Sequence, residues 1–192
     1  MKTIDQVLSD VLHREGWPAV TDRPSDLGGL TKGGVTLSNY NVWRVSIGRP
    51  PINAQELRDL SEADARAFFQ DQFSRPFAFV GDEGIFVLLV DWAITSGPDE
   101  PMKALQAALK LHGSDVGAID GVAGTKTRAA WKLVEGDFDY CHQLETQLLT
   151  ARADFYVGCV LHDPVTAAFL KATPTSQLAN LRGWIRRTLE FL

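Results

Sequence analysis

Apolar residues recur every three or four positions along most of the chain, which is the pattern of amphipathic helices. The first such stretch carries Ile4, Val7, Leu8, Val11 and Leu12. Gly16 and Pro18 follow it and predict its end. Further helices are predicted over residues 37–47, 54–60, 61–73, 84–94, 101–111, 125–134, 138–161, 164–172 and 176–191. Because strand patterns are nearly absent, the chain is predicted to be mainly α.

The segment between the first two helices is a long polar loop. It contains Pro24, Gly28, Gly29, Gly33 and Gly34, which exclude a long regular element. A short hairpin is expected over residues 30–36. A loop of roughly twenty residues inside a compact domain is more often functional than not.

Length and charge narrow the function classes. A chain of 192 residues with 45% apolar and 22% charged residues fits one globular unit of two lobes and excludes a disordered protein. The formal net charge of -5 argues against a protein that grips nucleic acid through a basic face. The protein is expected to act as a monomer.

Sequence signals for a metal site, a disulfide or membrane insertion are weak or absent. Cys141 and Cys159 lack partners at metal-binding spacing and are expected to be reduced thiols, and the four histidines are scattered. The acidic residues near the N-terminus interrupt any signal-peptide pattern, and the longest apolar run, residues 85–90, is too short for a membrane span. We therefore expect synthesis in the cytoplasm, without stable membrane insertion.

One carboxylate lies on the apolar side of the first helix. At about 100° per residue, Glu15 falls in the middle of the apolar stripe. Burial and the negative end of the helix dipole both favour the protonated form of a carboxyl group, and a protonated carboxyl is what glycoside hydrolysis needs. Glu15 is therefore a candidate general acid. The alternative is a carboxylate that turns to solvent or pairs with Arg14 or Arg23.

The polar loop that follows Glu15 offers groups to face it across a cleft. The candidates are Asp22, Asp26, Thr31 and Thr36. In an inverting glycosidase a second group must hold and activate water. Aspartate is the usual base, and threonine can position the water by hydrogen bonding.

Several short motifs, taken in order, resemble those of one family. They are E-G-W at 15–17, D-R-P-S-D at 22–26, G-G-L-T-K-G-G-V-T at 28–36, D-L-S at 59–61, D-W-A-I-T-S-G at 91–97, L-Q at 105–106, D-G-V-A-G at 120–124 and G-W-I-R-R at 183–187. Together they resemble glycoside hydrolase family 108, lysozyme-like N-acetylmuramidases found as phage endolysins and in secretion-linked loci. The motifs from residue 105 onward resemble the associated C-terminal peptidoglycan-binding region.

The resemblance implies a lysozyme-like bundle of helices with a glycine-rich active-site loop. It places the family's presumed catalytic acid at Glu15. It implies cleavage of the β-1,4 bond between N-acetylmuramic acid and N-acetylglucosamine in peptidoglycan glycan strands, with no cofactor and no metal. Asp26 and Thr31 are the first choices for placing water or stabilising the oxocarbenium-like charge, with Asp22 and Thr36 behind them.

Five positions depart from the family pattern. Trp17 stands where glycine is usual, Pro18 where an aromatic is usual, Thr95 where asparagine is usual, and Phe73-Ser74 where Tyr-Trp is usual. Trp17 and Thr95 are expected to alter substrate fit. Trp17 is either a platform for a sugar ring or simple packing of the loop. None of these changes removes the presumed acid.

These observations give one reading of the chain and two alternatives. Residues 1–80 are expected to form the catalytic lobe, and residues 81–192 a helical second lobe that resembles the peptidoglycan-binding region, packed as one globular unit. The enzyme would reach the cell wall after release or export, as in phage- or gene-transfer-type lysis. The alternatives are a non-catalytic peptidoglycan-binding or secretion-accessory protein on the same fold, and a lytic transglycosylase, which also uses one glutamate.

Overall fold

The computed structural model of the chain describes residues 4–22 and 29–161. The chain divides into two compact units, residues 1–78 and residues 79–192. Within the described residues the first unit contains α1 (Ile4–Arg14), β1 (Val20–Thr21), β2 (Thr31–Lys32), β3 (Val35–Thr36), α2 (Leu37–Ser46), α3 (Ala54–Arg58) and α4 (Glu62–Phe69). The second contains α5 (Glu83–Ser96), α6 (Asp99–Leu111), α7 (Thr125–Val134) and α8 (Phe138–Leu161).

The first unit buries the apolar stripe of α1 and an aromatic cluster. Val7, Leu8, Val11 and Leu12 of α1 are each 2–3% exposed, as the periodicity predicts. The cluster joins α2 and α4 through tilted and edge-to-face rings of Tyr40, Trp43, Phe68, Phe69 and Phe73. These are the favourable geometries for aromatic pairs.

Side chains cap the short helices of the first unit. The Thr36 hydroxyl accepts a hydrogen bond from the Asn39 amide at the start of α2. Asn53 and Glu56 form a reciprocal capping box on α3, and Ser61 caps α4. Such caps satisfy amides that have no partner inside the helix. They explain why these helices of five to ten residues begin where they do.

The predicted helix over residues 61–73 is shorter than expected. α4 ends at Phe69, and a π-helical turn follows over Gln70–Ser74, then a 3-10 turn over Arg75–Phe77. Pro76 provides the physical reason, because it has no amide hydrogen to continue the α-helical ladder. The wider π-helical turn over Gln70–Ser74 comes between the end of α4 and this proline.

The second unit is built around a buried central helix. α5 carries Leu88, Leu89, Val90 and Trp92, which are each 0–2% exposed, and it packs with α6 and α8. Asp91 of α5 accepts a hydrogen bond of 2.6 Å from Arg152 of α8 in this interior. Because the carboxylate and the guanidinium are both buried, each compensates the charge of the other.

The fold class is confirmed as mainly α with a small antiparallel sheet. α7 and α8 have the predicted bounds. The predicted helices over 164–172 and 176–191 lie outside the described residues. Cys141 and Cys159 are free thiols, as expected. No helix in residues 4–22 and 29–161 is both long enough and apolar enough for a membrane span.

Candidate active site

A glycine turn at the end of α1 presents Glu15 and Trp17. The Gly16 amide donates to the His13 carbonyl at 3.1 Å, and the Trp17 amide to the Leu12 carbonyl at 2.8 Å. This pair of bonds is the Schellman motif, in which the residue after the cap needs a positive φ. Gly16 has φ +79° and satisfies it. The turn holds the two side chains on either side of Gly16 in fixed places.

A tight hairpin lies against this turn. β1, β2 and β3 form a three-stranded antiparallel sheet, with Thr31 opposite Thr36 and Lys32 opposite Val35. Gly33 and Gly34 make the two-residue connection, with φ +50° and +81°. Positive φ at both positions is what a type I′ hairpin requires. The hairpin expected over residues 30–36 is therefore confirmed.

The half-buried Glu15 side chain rests on this connection. A Cβ atom at Gly34 would lie 3.0 Å from both Cβ and Cγ of Glu15 and 3.3 Å from its Oε2. Only a residue without a side chain leaves that space to the carboxylate. The structure thus joins the candidate acid directly to the glycine-rich loop that follows it in sequence.

Trp17 is seated on the same connection by two neighbours. A Cβ atom at Gly33 would lie 2.5 Å from Cε3 of the Trp17 ring, so the ring occupies the place of a side chain there. The Lys32 ammonium lies 5.1 Å from the ring centroid. This is within the range of a cation–π interaction. Trp17 is half-buried, so part of its surface remains open to solvent.

The threonines of the hairpin share one face of the sheet. Residues directly opposite in an antiparallel pair point to the same side, so Thr21, Thr31 and Thr36 form a row. Lys32 and the fully buried Val35 occupy the inner face. The Thr31 hydroxyl donates to the Gly29 carbonyl at 3.0 Å, which leaves its oxygen free to accept. The Thr36 hydroxyl is the cap of α2.

The remaining candidate residues are placed differently. Asp22 follows β1 directly and pairs with Arg58 at 3.1 Å, both side chains being largely open to solvent. Asp26 lies outside the described residues. Thr95 belongs to the second unit, where its hydroxyl donates to the Trp92 carbonyl at 2.9 Å and lies 2.6 Å from the Tyr156 hydroxyl. The structure therefore brings Glu15, Trp17, Thr31 and Thr36 to one hairpin.

Lys32 of the hairpin and Arg58 of α3 have partners that their sequence positions do not indicate. Within the part of the chain that the structure describes, the hydrogen bonds of the Lys32 ammonium go to backbone carbonyls 26 and 28 positions away, and Arg58 bonds to Asp22 across 36 positions. Across residues 4–22 and 29–161 no three His, Cys, Asp or Glu side chains converge as ligands for a metal ion.

Comparison with known proteins identifies the region that contains this site. Residues 8–97 match the family model described as glycosyl hydrolase 108, a range that includes Glu15, the hairpin and Thr95. The solved structure of SagA from Brucella abortus is similar with a TM-score of 0.65 and 26% sequence identity, over 98% of this chain and 94% of that one. No curated protein matches the chain significantly.

Proposed function

Residues 8–97 belong to the glycosyl hydrolase 108 family, and from that premise we propose a peptidoglycan hydrolase with Glu15 as its general acid. The bond cleaved is the β-1,4 linkage between N-acetylmuramic acid and N-acetylglucosamine. The family assignment supports glycosidase chemistry. The muramidase reaction and the role of Glu15 are the parts that we propose.

The observation that carries the proposal is the seat of Glu15. A general acid must be held in a fixed position beside the leaving oxygen, because a small displacement lowers the rate steeply. The Schellman turn fixes the backbone of Glu15, and the bare backbone of Gly34 leaves room for its side chain. A half-buried carboxyl in such a seat can be protected from bulk water and still reach a glycan.

Thr31 and Asp26 are proposed to act on the water. The Thr31 hydroxyl already donates its single hydrogen to the Gly29 carbonyl, so it can only accept a hydrogen bond from water. That geometry orients a water molecule but does not remove a proton. The proton would go to a carboxylate, and Asp26 is the first choice for that base in an inverting mechanism.

The remaining candidates are proposed to hold the glycan. The open part of the Trp17 indole offers a surface on which a sugar ring can stack. Asp22, Thr36 and Thr95 provide polar groups for hydroxyl and acetamido substituents. The second unit is proposed to act as the peptidoglycan-binding region, and the enzyme is proposed to meet the wall after release or export.

The test is Glu15→Gln on purified peptidoglycan. Glutamine keeps the shape of the side chain but has no acidic proton, so release of reducing ends should fall at least about a hundredfold. Glu62→Gln is the matched control, because Glu62 pairs with Arg66 in the same unit and is largely exposed. The control should keep the parental rate.

Each other outcome excludes a specific part of the proposal. A near-parental rate for Glu15→Gln would overturn the acid assignment. Mass spectra with 1,6-anhydro-muramyl ends in place of reducing ends would identify a lytic transglycosylase. A parent protein that binds peptidoglycan without cleaving it would be a non-catalytic binding or accessory protein.

A further inference from the structure

Lys32 is a buried cation next to Trp17 in the candidate site. Its side chain is 9% exposed, although lysine is among the residues least often buried. The ammonium donates to the Arg58 carbonyl at 2.6 Å and to the Leu60 carbonyl at 2.8 Å. Both acceptors are neutral backbone groups, at the end of α3 and in the connection to α4. The cation therefore ties the hairpin to a distant part of the first unit.

Besides its two hydrogen bonds, the Lys32 ammonium lies over the Trp17 ring. The ring centroid lies 5.1 Å from Nζ, and the ring edge is in contact with the hairpin backbone at Gly33. The indole is thus located from two sides, by a cation and by a glycine. Trp17 is only two residues after Glu15, and Gly16 between them is fixed in the turn. A shift of the indole would change the surface next to the acid.

We propose that Lys32 is a positioning residue that holds the Trp17 indole in place as the saccharide-binding surface beside Glu15. The proposal rests on the proposed function, and it adds that glycan affinity depends on a buried group that touches no substrate. Replacing Lys32 by an apolar side chain of similar length would fill the same space. It would leave the Arg58 and Leu60 carbonyls without this donor and the Trp17 ring without its cation.

The test is a double-mutant cycle on binding in a Glu15→Gln background, so that the glycan is not cleaved. The probe is purified insoluble peptidoglycan, and the measurement is the fraction of protein that cosediments. Lys32→Met should weaken binding about tenfold, and Trp17→Ala by a similar factor. If Lys32 acts through the indole, the double variant should bind no more weakly than Trp17→Ala alone.

Two further measurements separate positioning from a general effect on folding. The emission of Trp17 is obtained by subtracting the spectrum of the same protein with Trp17→Phe. This difference spectrum should not be the same in Lys32→Met as in the parent. Lys32→Arg keeps the charge with a different geometry and should rescue part of the binding. If Lys32→Met does not fold, the same cycle with Lys32→Arg decides, because its smaller loss should also vanish without Trp17.

Two outcomes would overturn the proposal. One is an equal loss of binding from Lys32→Met with and without Trp17, which would show that Lys32 acts through the hairpin alone. The other is unchanged binding in every variant at position 32. Because no step requires cleavage, a parent that never hydrolyses peptidoglycan would refute the muramidase function and leave this inference standing.

Discussion

Two glycine-containing loops, one in each unit, use their glycines for different purposes. In the hairpin of the first unit, the space beside Gly34 and Gly33 is filled by the side chains of Glu15 and Trp17. In the second unit, residues 113–124 also join helices through glycines and an Asp-Gly pair. There the polar groups turn toward a single buried side chain.

That side chain is Gln106 of α6, which is 1% exposed. Its Nε2 lies 3.0 Å from the Asp120 carboxylate, 3.0 Å from the Val122 carbonyl and 3.1 Å from the Thr127 hydroxyl, so its two hydrogens are shared among three acceptors. Its Oε1 accepts from the amides of Asp120 and Gly121, each at 3.0 Å. One amide group therefore holds the Asp-Gly turn at residues 120–122 against α6 and the start of α7, and both of its hydrogens are engaged.

The comparison shows why glycines and an aspartate do not by themselves mark a site. The Asp120 carboxylate is engaged with Gln106 and with the Val122 amide, which supports a structural turn. Gly121 is needed because a Cβ there would lie 3.1 Å from the Asp99 carbonyl oxygen. In the hairpin, by contrast, the glycines leave space for side chains that are half open to solvent. What occupies that space distinguishes the two loops.

Filling the space beside Glu15 should have the largest effect on activity. Gly34→Ala places a methyl group 3.0 Å from the Glu15 side chain, which must move. We expect peptidoglycan hydrolysis to fall, with about a hundredfold as the upper bound, because that is the scale of a full 1 Å displacement. The rate on purified peptidoglycan and urea unfolding would both be measured.

Gly48→Ala is the matched control for Gly34→Ala. Gly48 has a similar φ of +75°, but no atom lies within 4 Å of a Cβ built there. Both variants should lose about 1–2 kcal/mol of stability through backbone strain. Only Gly34→Ala should lose activity, and equal activity in the two would show that the hydrolysis does not depend on the seat of Glu15.

The second loop should respond in the opposite way. Gln106→Leu leaves the Asp120 and Gly121 amides and the Thr127 hydroxyl without their partner, so the free energy of unfolding should fall by roughly 3 kcal/mol. The hydrolysis rate of the folded protein should not change. Gln55→Leu, at an exposed position of α3, is the control and should stay within about 0.5 kcal/mol. A lost rate in Gln106→Leu would give this loop a part in the reaction.

The sequence predicts the hairpin, and it makes Glu15 a candidate, because both signals are local. Helical phase places Glu15 on the apolar side of α1, and adjacent glycines predict the turn at Gly33 and Gly34. The same local rules gave the bounds of α7 and α8. At the start of α7 the capping position is held by Gly124, and Thr125 is the first helical residue.

The parts that were not predicted depend on partners far along the chain. Lys32 bonds to carbonyls 26 and 28 residues away, and a backbone carbonyl carries no signal in sequence. Asp22 pairs with Arg58 across 36 residues, and the sequence alone does not distinguish Arg58 from the other arginines as its partner. Gln106 is part of a sequence motif, but its four hydrogen bonds to residues 120–122 and its fifth to Thr127 of α7 depend on how α6 packs.

A smaller effect separates the two threonines of the hairpin. Thr36→Ala removes the cap of α2 and should cost about 1 kcal/mol of stability, which Thr36→Ser should restore. Thr31 caps no helix, so Thr31→Ala should reduce hydrolysis more than stability. Urea unfolding and the hydrolysis rate of the three variants would test this. A parental rate in Thr31→Ala would remove it as the group that holds water.

The smallest expected effect is the acid sensitivity of the second loop. Hydrogen bonds from the Gln106 amide and the Val122 amide hold the pKa of Asp120 below its ordinary value of about 4. A lowered pKa in the folded state adds stability above the ordinary value, and that stability is lost as the pH falls through the folded pKa. Thermal midpoints between about pH 5 and pH 2.5 should therefore fall more in the parent than in Asp120→Asn.

Salt distinguishes Asp120 from the other acidic group with a lowered pKa in this region. Asp115 owes its lowered pKa first to the Lys126 ammonium and then to the Gly117 amide, and both charged side chains are exposed. Salt screens such an exposed ion pair, whereas the Gln106 amide carries no net charge to screen. Each substitution removes part of the pH dependence of stability. When the salt is raised from about 0.1 M to 1 M, the part that Asp115→Asn removes should become smaller, and the part that Asp120→Asn removes should stay the same. If both respond equally to salt, the Asp120 carboxylate is stabilised by surrounding charges, and Gln106 is not the main cause.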